Sequence, residues 1–230
     1  MLSPVGTIVQ KHDPDRFLTA LFAPADRREA LFALYAFNHE LARARDVVRE
    51  PMAAMIRWQW WREVVEGARR RHEVAEPLGQ ALDAGLLRAP DLLAIVDGRE
   101  LEVDGLETLD AWRVYVLGTA GAVAVAAGNA LGMDQVHEPS VRALGAAYGA
   151  AGLIRAAPAL ARQERSLLPP GGVDTARAEG QNWLHAAPVP RAIRSAVLLA
   201  ALARRDLART VFPLARGLGD KLAVARMAWL

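Results

Sequence analysis

Cysteine is absent from the 230 residues of this chain. Its absence excludes disulfides, thiolate zinc sites, iron–sulfur ligation and a cysteine nucleophile. Lysine is almost as rare, since only Lys11 and Lys221 occur, and arginine carries nearly all of the positive charge. The formal net charge of +2 gives little reason to expect a nucleic-acid partner, and we predict none.

Targeting and membrane-spanning signals are also scarce. Residues 1–10 lack the cationic start and the long apolar stretch of a signal peptide, and they are too short for a transit peptide. Residues 114–131 are almost uncharged, but Ala, Gly and Val dominate them, and Thr119 and Asn129 interrupt them. The segment is slightly short of the roughly 20 strongly apolar residues that a span needs. We therefore expect a buried core helix, no transmembrane helix and a cytoplasmic protein.

Helical patterns fill the chain, and no stretch alternates apolar and polar residues for long enough to predict a strand. With 230 residues, of which 53% are hydrophobic, the chain is long enough for one substantial core. The sequence thus predicts one all-α domain over residues 1–230. The first predicted helix is capped by Asp26. Further helices are predicted at about 52–71, 76–84, 89–99, 109–131, 140–162, 174–184 and 191–214.

Arginines and glutamates one helical turn apart mark the predicted helix over residues 52–71. Arg62 and Glu66 form one such pair, and Glu66 and Arg70 form another, which predicts a solvated, ion-paired face. The same arginines make residues 57–71 a candidate surface for anionic lipid or for an acidic partner.

Three tryptophans, Trp58, Trp60 and Trp61, also lie on this predicted helix. Tryptophan is enriched where a protein meets a membrane interface, so one of them is a possible interfacial anchor. Packing against neighbouring helices is the favoured interpretation.

Two segments carry the most specific signal. The first reads Tyr35-Ala-Phe-Asn-His-Glu-Leu-Ala-Arg-Ala-Arg-Asp46, and the second runs from Leu144 through Arg162 to Leu168-Pro169. Both resemble the signature segments of the squalene/phytoene synthase family, in which carboxylates hold the Mg²⁺ that neutralises a departing diphosphate. The resemblance covers most of residues 12–170 and is weaker over residues 174–230. It implies the helical bundle of the isoprenoid synthases.

Most of the family's metal-binding acids are replaced in this chain. The first motif places Ala42, Arg43 and Asp46 at the three family aspartates, so only Asp46 remains. The second places Gly149 at a glutamine, Gly152 at an asparagine and Arg155 at an arginine, with Ala156, Ala159 and Leu160 where acids stand. One carboxylate cannot hold a cluster of divalent ions, and Arg43 adds positive charge where metal would bind. We therefore predict no catalytic residue, metal or cofactor. Asp46 would serve as a ligand, with Mg²⁺, only in an active enzyme.

The same frame implies a vestigial cleft between the two motif helices. Because small or apolar side chains replace larger polar ones, the cleft should be poor in acids and either filled or apolar. His12 and His39 are expected near its entrance, where ordinary polar contacts are favoured over ligation. The cleft residues implied by the resemblance are His12, Tyr35, Asn38, His39, Ala42, Arg43, Asp46, Gly149, Gly152, Arg155, Ala156 and Leu160.

An acidic patch offers substitute metal ligands if the chain is active. It consists of Asp97, Glu100, Glu102 and Asp104, of which Asp97 and Glu100 come nearest to sharing one helix face. Solvated residues around a helix end are the favoured interpretation of this patch.

The pattern is most similar to a divergent branch of the family that includes mitochondrial complex I assembly factor 6. Members of that branch keep the fold and lack the aspartate-rich motifs. The resemblance implies a non-catalytic protein that helps to build NADH:ubiquinone oxidoreductase, in contact with a subunit of that complex and peripheral on the inner membrane face. Two alternatives remain open: an active head-to-head prenyltransferase, and a module that binds an isoprenoid or another lipid without chemistry.

Overall fold

A computed structural model describes residues 2–47, 51–212 and 215–229, without the side chains of Asp46, Val47, Pro51 and Asp104. Helices and turns make up these ranges, and no strand occurs in them, which confirms the all-α expectation. The single-domain assignment stays a prediction. The α-helices are α1 (Pro4–His12), α2 (Pro14–Ala20), α3 (Arg28–Val47), α4 (Pro51–Val65), α5 (Ala75–Asp83), α6 (Ala89–Asp104), α7 (Leu109–Val116), α8 (Ala122–Ala130), α9 (Glu138–Ala161), α10 (Gly172–Trp183), α11 (Leu199–Leu207) and α12 (Leu218–Trp229).

Two short helices at the beginning of the chain were not predicted. Ser3 caps α1 by accepting a hydrogen bond from the backbone N–H of Gly6, and Asp13 caps α2 by accepting one from Arg16. A proline follows each cap at the first helical position, where its missing N–H is not needed. The prediction that Asp26 caps the next helix is wrong, because Asp26 lies inside a 3₁₀ turn that continues into α3.

Other helices also differ from the prediction, and the helix expected over 89–99 continues to Asp104. The helix expected over 52–71 ends at Val65, because the chain turns through Gly67 at a φ of 112°, which favours glycine. The segment expected as one helix over 191–214 is a 3₁₀ helix, Arg191–Ala196, followed by α11. Helix α12 was not predicted at all.

The ion pairs predicted on α4 are also wrong. Arg62 bonds across to α6, where its Nη2 lies 2.7 Å from Asp97 and 2.8 Å from Glu100. Arg70 pairs with Glu63, at 2.9 Å. The charged face of α4 therefore joins α4 to α6, in addition to facing solvent.

The tryptophans of α4 pack inside the fold, as expected. Trp58 is fully buried and donates a hydrogen bond from Nε1 to the carbonyl of Leu41 on α3, at 3.0 Å. Trp61 is buried edge-on against Phe37, and the half-buried Trp60 packs against Trp61. Helix α3 thus runs through the core, with α1, α4, α5 and α8 packed around it.

Helices α7 and α8 form one continuous rod that is interrupted by a π-helical turn, Leu117–Gly121. Helix α6 approaches this turn closely, and a Cβ added to Gly98 would lie 2.4 Å from the carbonyl oxygen of Gly118. Helix α9 packs against the same turn. Single π turns inside α-helices often mark functional sites, and this one brings Thr119 and Ala120 to the cleft described below.

Two helical rods of the described residues are long and apolar enough to cross a membrane by length and composition alone. They are Leu109–Ala130, whose apolar window is 67% buried in the fold, and Gln135–Ala161, whose window is 50% buried. Core helices pass the same test, so this is weak support for a membrane span.

Candidate functional site

A cleft of about 250 Å³ opens among α2, α3, α6, the α7–α8 rod and α9. Six of the predicted residues lie in its wall, with three from α3 and three from α9. The wall consists of Asp13, Arg16, Asn38, His39, Ala42, Arg99, Tyr115, Val116, Thr119, Ala120, Tyr148, Gly149, Gly152, Leu153 and Arg155.

The other predicted residues lie around the cleft. His12 stacks on His39, with 4.7 Å between ring centroids. Tyr35 is buried under Arg16, and Arg43 is exposed and pairs with Glu40. The described wall does not include Ala156 and Leu160, which follow on α9, and the side chain of Asp46 lies outside the described residues.

The two glycines of α9 differ in the space around them. A Cβ added to Gly149 would lie 2.5 Å from the Cβ of Ala120 and 3.1 Å from Val116, so a larger side chain does not fit without movement. No atom lies within 4 Å of a Cβ added to Gly152, which faces open space. Close packing of α9 therefore accounts for glycine at position 149 but not at position 152.

Three arginines dominate the charge of the cleft, and each is tied to other groups of the protein. Arg16 donates to the carboxylate of Asp13 at 2.7 Å, and its guanidinium lies 5.3 Å from the ring centroid of Tyr148. Burial would lower the pKa of Arg16, but the Asp13 carboxylate and nearby tyrosines raise it above its ordinary value. Arg16 thus remains a buried, paired cation.

The second arginine, Arg99, crosses the cleft from α6. It donates to Glu102 at 3.0 Å, to the hydroxyl of Tyr115 at 3.3 Å and to the side-chain oxygen of Asn38 at 3.3 Å. Tyr115 in turn donates to Glu102 at 2.8 Å, and burial together with this carboxylate raises the Tyr115 pKa. Glu102 is therefore a buried, bonded carboxylate, which corrects the expectation that it is solvated.

The third arginine, Arg155, stands where the family also has arginine. Its Nη1 lies 3.4 Å from Asp206 and 3.6 Å from Asp15, and its guanidinium lies over the ring of Tyr148. Arg216 bridges the same two carboxylates, donating to Asp15 at 2.8 Å and to Asp206 at 2.7 Å. The segment just before α12 is thus connected to the cleft through partly buried ion pairs.

The donor atoms of the described wall residues do not fit a magnesium cluster. Asp13 is the one carboxylate among the described wall residues, and Arg16 holds it. No group of three or more His, Asp or Glu side chains in the described ranges is arranged to hold a metal ion. Of the acidic patch, Asp97 and Glu100 bind Arg62, Glu102 binds Arg99 and Tyr115, and the side chain of Asp104 is not described.

The sequence did not predict nine of the fifteen wall residues, and these nine include the polar residues Asp13, Arg16, Arg99 and Tyr148. Asp13 carried a usable signal, because an Asp–Pro pair typically starts a helix, and the start of α2 places Asp13 and Arg16 together. Arg99 and Tyr148 carried no comparable signal, since their neighbours in space are distant in sequence.

Comparison with known proteins agrees with this geometry. The model of the squalene/phytoene synthase family matches residues 9–229, which includes the C-terminal helices. The chain belongs to this family. Its fold resembles that of a dehydrosqualene synthase solved with a ligand, with a TM-score of 0.78 and 15% identity over 97% of this chain and 93% of that one. The squalene synthase HpnC from Alicyclobacillus acidocaldarius gives a TM-score of 0.68 and 16% identity, over 89% of this chain and 90% of that one. At such low identity these likenesses show the fold alone.

The curated relatives of this chain have a different name from these synthases. The NADH dehydrogenase (ubiquinone) complex I assembly factor 6 of Homo sapiens is 30% identical over 169 residues, which is 70% of this chain and 51% of that protein. The protein of the same name from Bos taurus is 28% identical over the same shares. The chain thus spans about half the length of these relatives. The resemblance to the assembly-factor branch, drawn from the motifs, is confirmed.

Proposed function

We propose that this synthase-like protein is non-catalytic and assists the assembly of respiratory complex I. Its curated relatives are named as assembly factors of that complex, and the shared region includes most of this chain. We further propose contact with a subunit of the complex at the membrane surface. Because the fold is shared with synthases, the fold alone does not decide between assembly and catalysis.

The proposal that the protein is non-catalytic rests on the metal-ligand and cationic side chains found in the cleft. A diphosphate leaves readily only when several hard cations or free cationic groups neutralise it, and Mg²⁺ needs carboxylate oxygens. Here Ala42, Gly149 and Gly152 supply no ligand atoms, and Arg16 and Arg99 are each bonded to a carboxylate of the protein. These ion pairs support a structural role for the cleft.

Turnover is the direct test. Purified protein would be incubated with radiolabelled farnesyl or geranylgeranyl diphosphate, Mg²⁺ and NADPH, and released pyrophosphate and apolar product would be followed. We expect no release above a blank without protein, while circular dichroism shows folded protein and an active family synthase releases product in parallel. Release that depends on this protein would overturn the proposal.

The assembly role has a separate test in the organism that encodes the chain. Deletion of the gene should lower the amount of assembled NADH:quinone reductase, and the intact gene should restore it. Because His39 lines the cleft without a catalytic role in this proposal, the His39→Gln variant should restore assembly equally well. Normal assembly in the deletion strain would contradict the proposal.

A second candidate, binding of an isoprenoid or another lipid, is favoured by one feature of the cleft. Val116, Ala120 and Leu153 form an apolar part of the wall beside the paired arginines. An apolar ligand there would stabilise the fold without Mg²⁺. Thermal shift with farnesol and with a quinone is the measurement, and this candidate is dropped if neither raises the melting temperature.

A further inference from the structure

The outer face of α12 is apolar where a water-exposed helix is usually polar. Leu218 is 74% exposed, Leu222 is 58% exposed and Trp229 is 71% exposed. These residues are spaced by four and seven positions, so they form one row along the helix. The opposite face is anchored, since Val224 is buried and the buried Asp220 bonds Arg205 and Arg209. Helix α12 is therefore held in place while its apolar row faces outward.

Positively charged side chains lie beside this apolar row of α12. Lys221 and Arg226 lie on the same outer face, and among the described residues neither has a carboxylate within ion-pair distance. Over residues 185–230 the sequence has eight Lys or Arg and two acids, a net charge of +6 against +2 for the whole chain. Both acids, Asp206 and Asp220, are buried and paired with arginines. The exposed charge of this region is thus positive.

A small depression beside Trp229 adds two more cations. It has a volume of about 130 Å³, and its wall includes Arg191, Arg194, Ser195, Phe22 and Trp229. Arg194 Nη1 and Ser195 Oγ are buried without a hydrogen-bond partner in the described structure. Ser195 is 94% buried, since 6% of its surface is exposed.

We propose that these features form one docking surface for an anionic phospholipid membrane. The α12 surface is defined as Leu218, Lys221, Leu222, Arg226 and Trp229, together with Arg191 and Arg194. In this arrangement Leu222 and Trp229 enter the interfacial layer, and the cations, Arg191 and Arg194 included, lie at the lipid phosphates. Interleaved tryptophan, leucine and unpaired cations on one helix face are typical of helices that lie in a membrane interface.

The alternatives fit less well. An acidic protein would match the cations, but no feature of the surface other than charge favours it, whereas an exposed tryptophan flanked by cations suits an interface of apolar chains and phosphates. The arginine-rich face of α4, the earlier candidate, is largely paired, as Arg62 and Arg70 show. This inference rests on the proposed function in one respect, namely that the protein works at a membrane surface.

Vesicle binding by the whole chain is the test. Protein would be sedimented with vesicles of phosphatidylcholine alone and with an equimolar mixture of phosphatidylcholine and phosphatidylglycerol. We expect binding to the mixed vesicles only, weakening with salt. Each cation near an anionic surface contributes a factor of about five in partitioning, so Lys221→Glu with Arg226→Glu should lower binding by about tenfold or more.

The control is Arg57→Glu with Arg71→Glu, which reverses two exposed arginines on and after α4. It should bind as the unchanged protein does. Brominated lipid gives a second readout, because it should quench tryptophan fluorescence on binding, and Trp229→Phe should remove most of that quenching. All variants are at exposed positions, and circular dichroism checks their folding.

Several outcomes overturn the inference. They are equal binding to both kinds of vesicle, loss of binding in the α4 control but not in the α12 variant, and dimerisation of the protein through α12 without vesicle binding. Complementation of the gene deletion is scored separately. If vesicle binding fails while complementation succeeds, the docking surface is wrong and the assembly role stands, and the reverse result rejects only the assembly role.

Discussion

Gly149 of α9 lies so close to Ala120 that an added Cβ would stand 2.5 Å from the Cβ of Ala120. This contact seats α9 against the π turn of the α7–α8 rod, next to the cleft. The family has glutamine at this motif position, and that side chain has no space here. The replacement of the family's glutamine by Gly149 therefore goes together with close packing of two helices. Gly152, three residues further on, faces open space, so packing does not require glycine there.

The two glycines predict opposite effects of one substitution. Gly149→Ala should destabilise the fold by about 1 to 3 kcal/mol, because two packed helices would have to move apart. Gly152→Ala should stabilise it by about 0.5 to 1 kcal/mol, since alanine favours a helix and meets no atom. Urea denaturation of both variants measures the two free energies of unfolding. If both substitutions change the free energy of unfolding equally, α9 does not pack closely against Ala120.

Substitution of Arg216 should lower the free energy of unfolding by more than the glycine substitutions do. Its removal in Arg216→Ala would leave Asp15 and Asp206 buried with less compensation, and breaking such a buried pair costs about 3 kcal/mol or more. The melting temperature and the free energy of unfolding are the measurements. Arg204→Ala, at an exposed position on the neighbouring α11, is the matched control, with a change within about 0.5 kcal/mol. If Arg216→Ala does not change the free energy of unfolding, the segment before α12 is not held through these carboxylates.

The sequence predicted the main helices and six of the fifteen residues of the cleft wall, because motif register and helical spacing are local properties. Asn38, His39 and Ala42 share one face of α3, and Gly149, Gly152 and Arg155 share one face of α9, so placing the helices places the residues. Arg16 and Arg99 come from other helices. Their positions depend on packing between segments that are far apart in the chain.

Helix α12 was missed because its pattern is inverted. Leu218, Leu222 and Trp229 face outward, whereas Asp220 faces inward and is bonded by Arg205 and Arg209. The spacing of these apolar residues is helical, but by the usual rule it would place their row inside the fold and Asp220 outside. The ion pairs that hold the helix join it to α11, and local spacing does not predict them.

The environment of Asp220 predicts that the stability of the fold depends on pH in the acidic range. Burial alone would raise the pKa of Asp220, but hydrogen bonds from Arg209 and Arg205 lower it to about 2, below its ordinary 3.8. A lowered carboxylate pKa stabilises the fold above the unfolded value, and this contribution is lost as the pH falls from 3.8 towards 2. Asp220→Asn should therefore cost about 1 to 2 kcal/mol near neutral pH and less in acid. Unfolding curves at several pH values test this, and a cost that does not change with pH contradicts it.

The environment of His39 predicts that the stability of the fold also depends on pH nearer to neutrality. Burial lowers the pKa of His39 below 6.5, and the stacked His12 and nearby Arg43 lower it further, whereas Glu40 and Asp13 oppose them. The folded state therefore resists protonation that the unfolded state accepts, and stability falls as the pH drops through the unfolded value.

The His39→Gln variant should reduce this loss, so that its melting temperature falls less than that of the unchanged protein between about pH 7 and pH 5. His185→Gln, at an exposed position, is the control and should leave the slope unchanged. Parallel slopes for all three proteins would mean that His39 takes up its proton equally well in the folded and unfolded states. In that case the stacked histidine pair at the cleft is more open to water than its packing indicates.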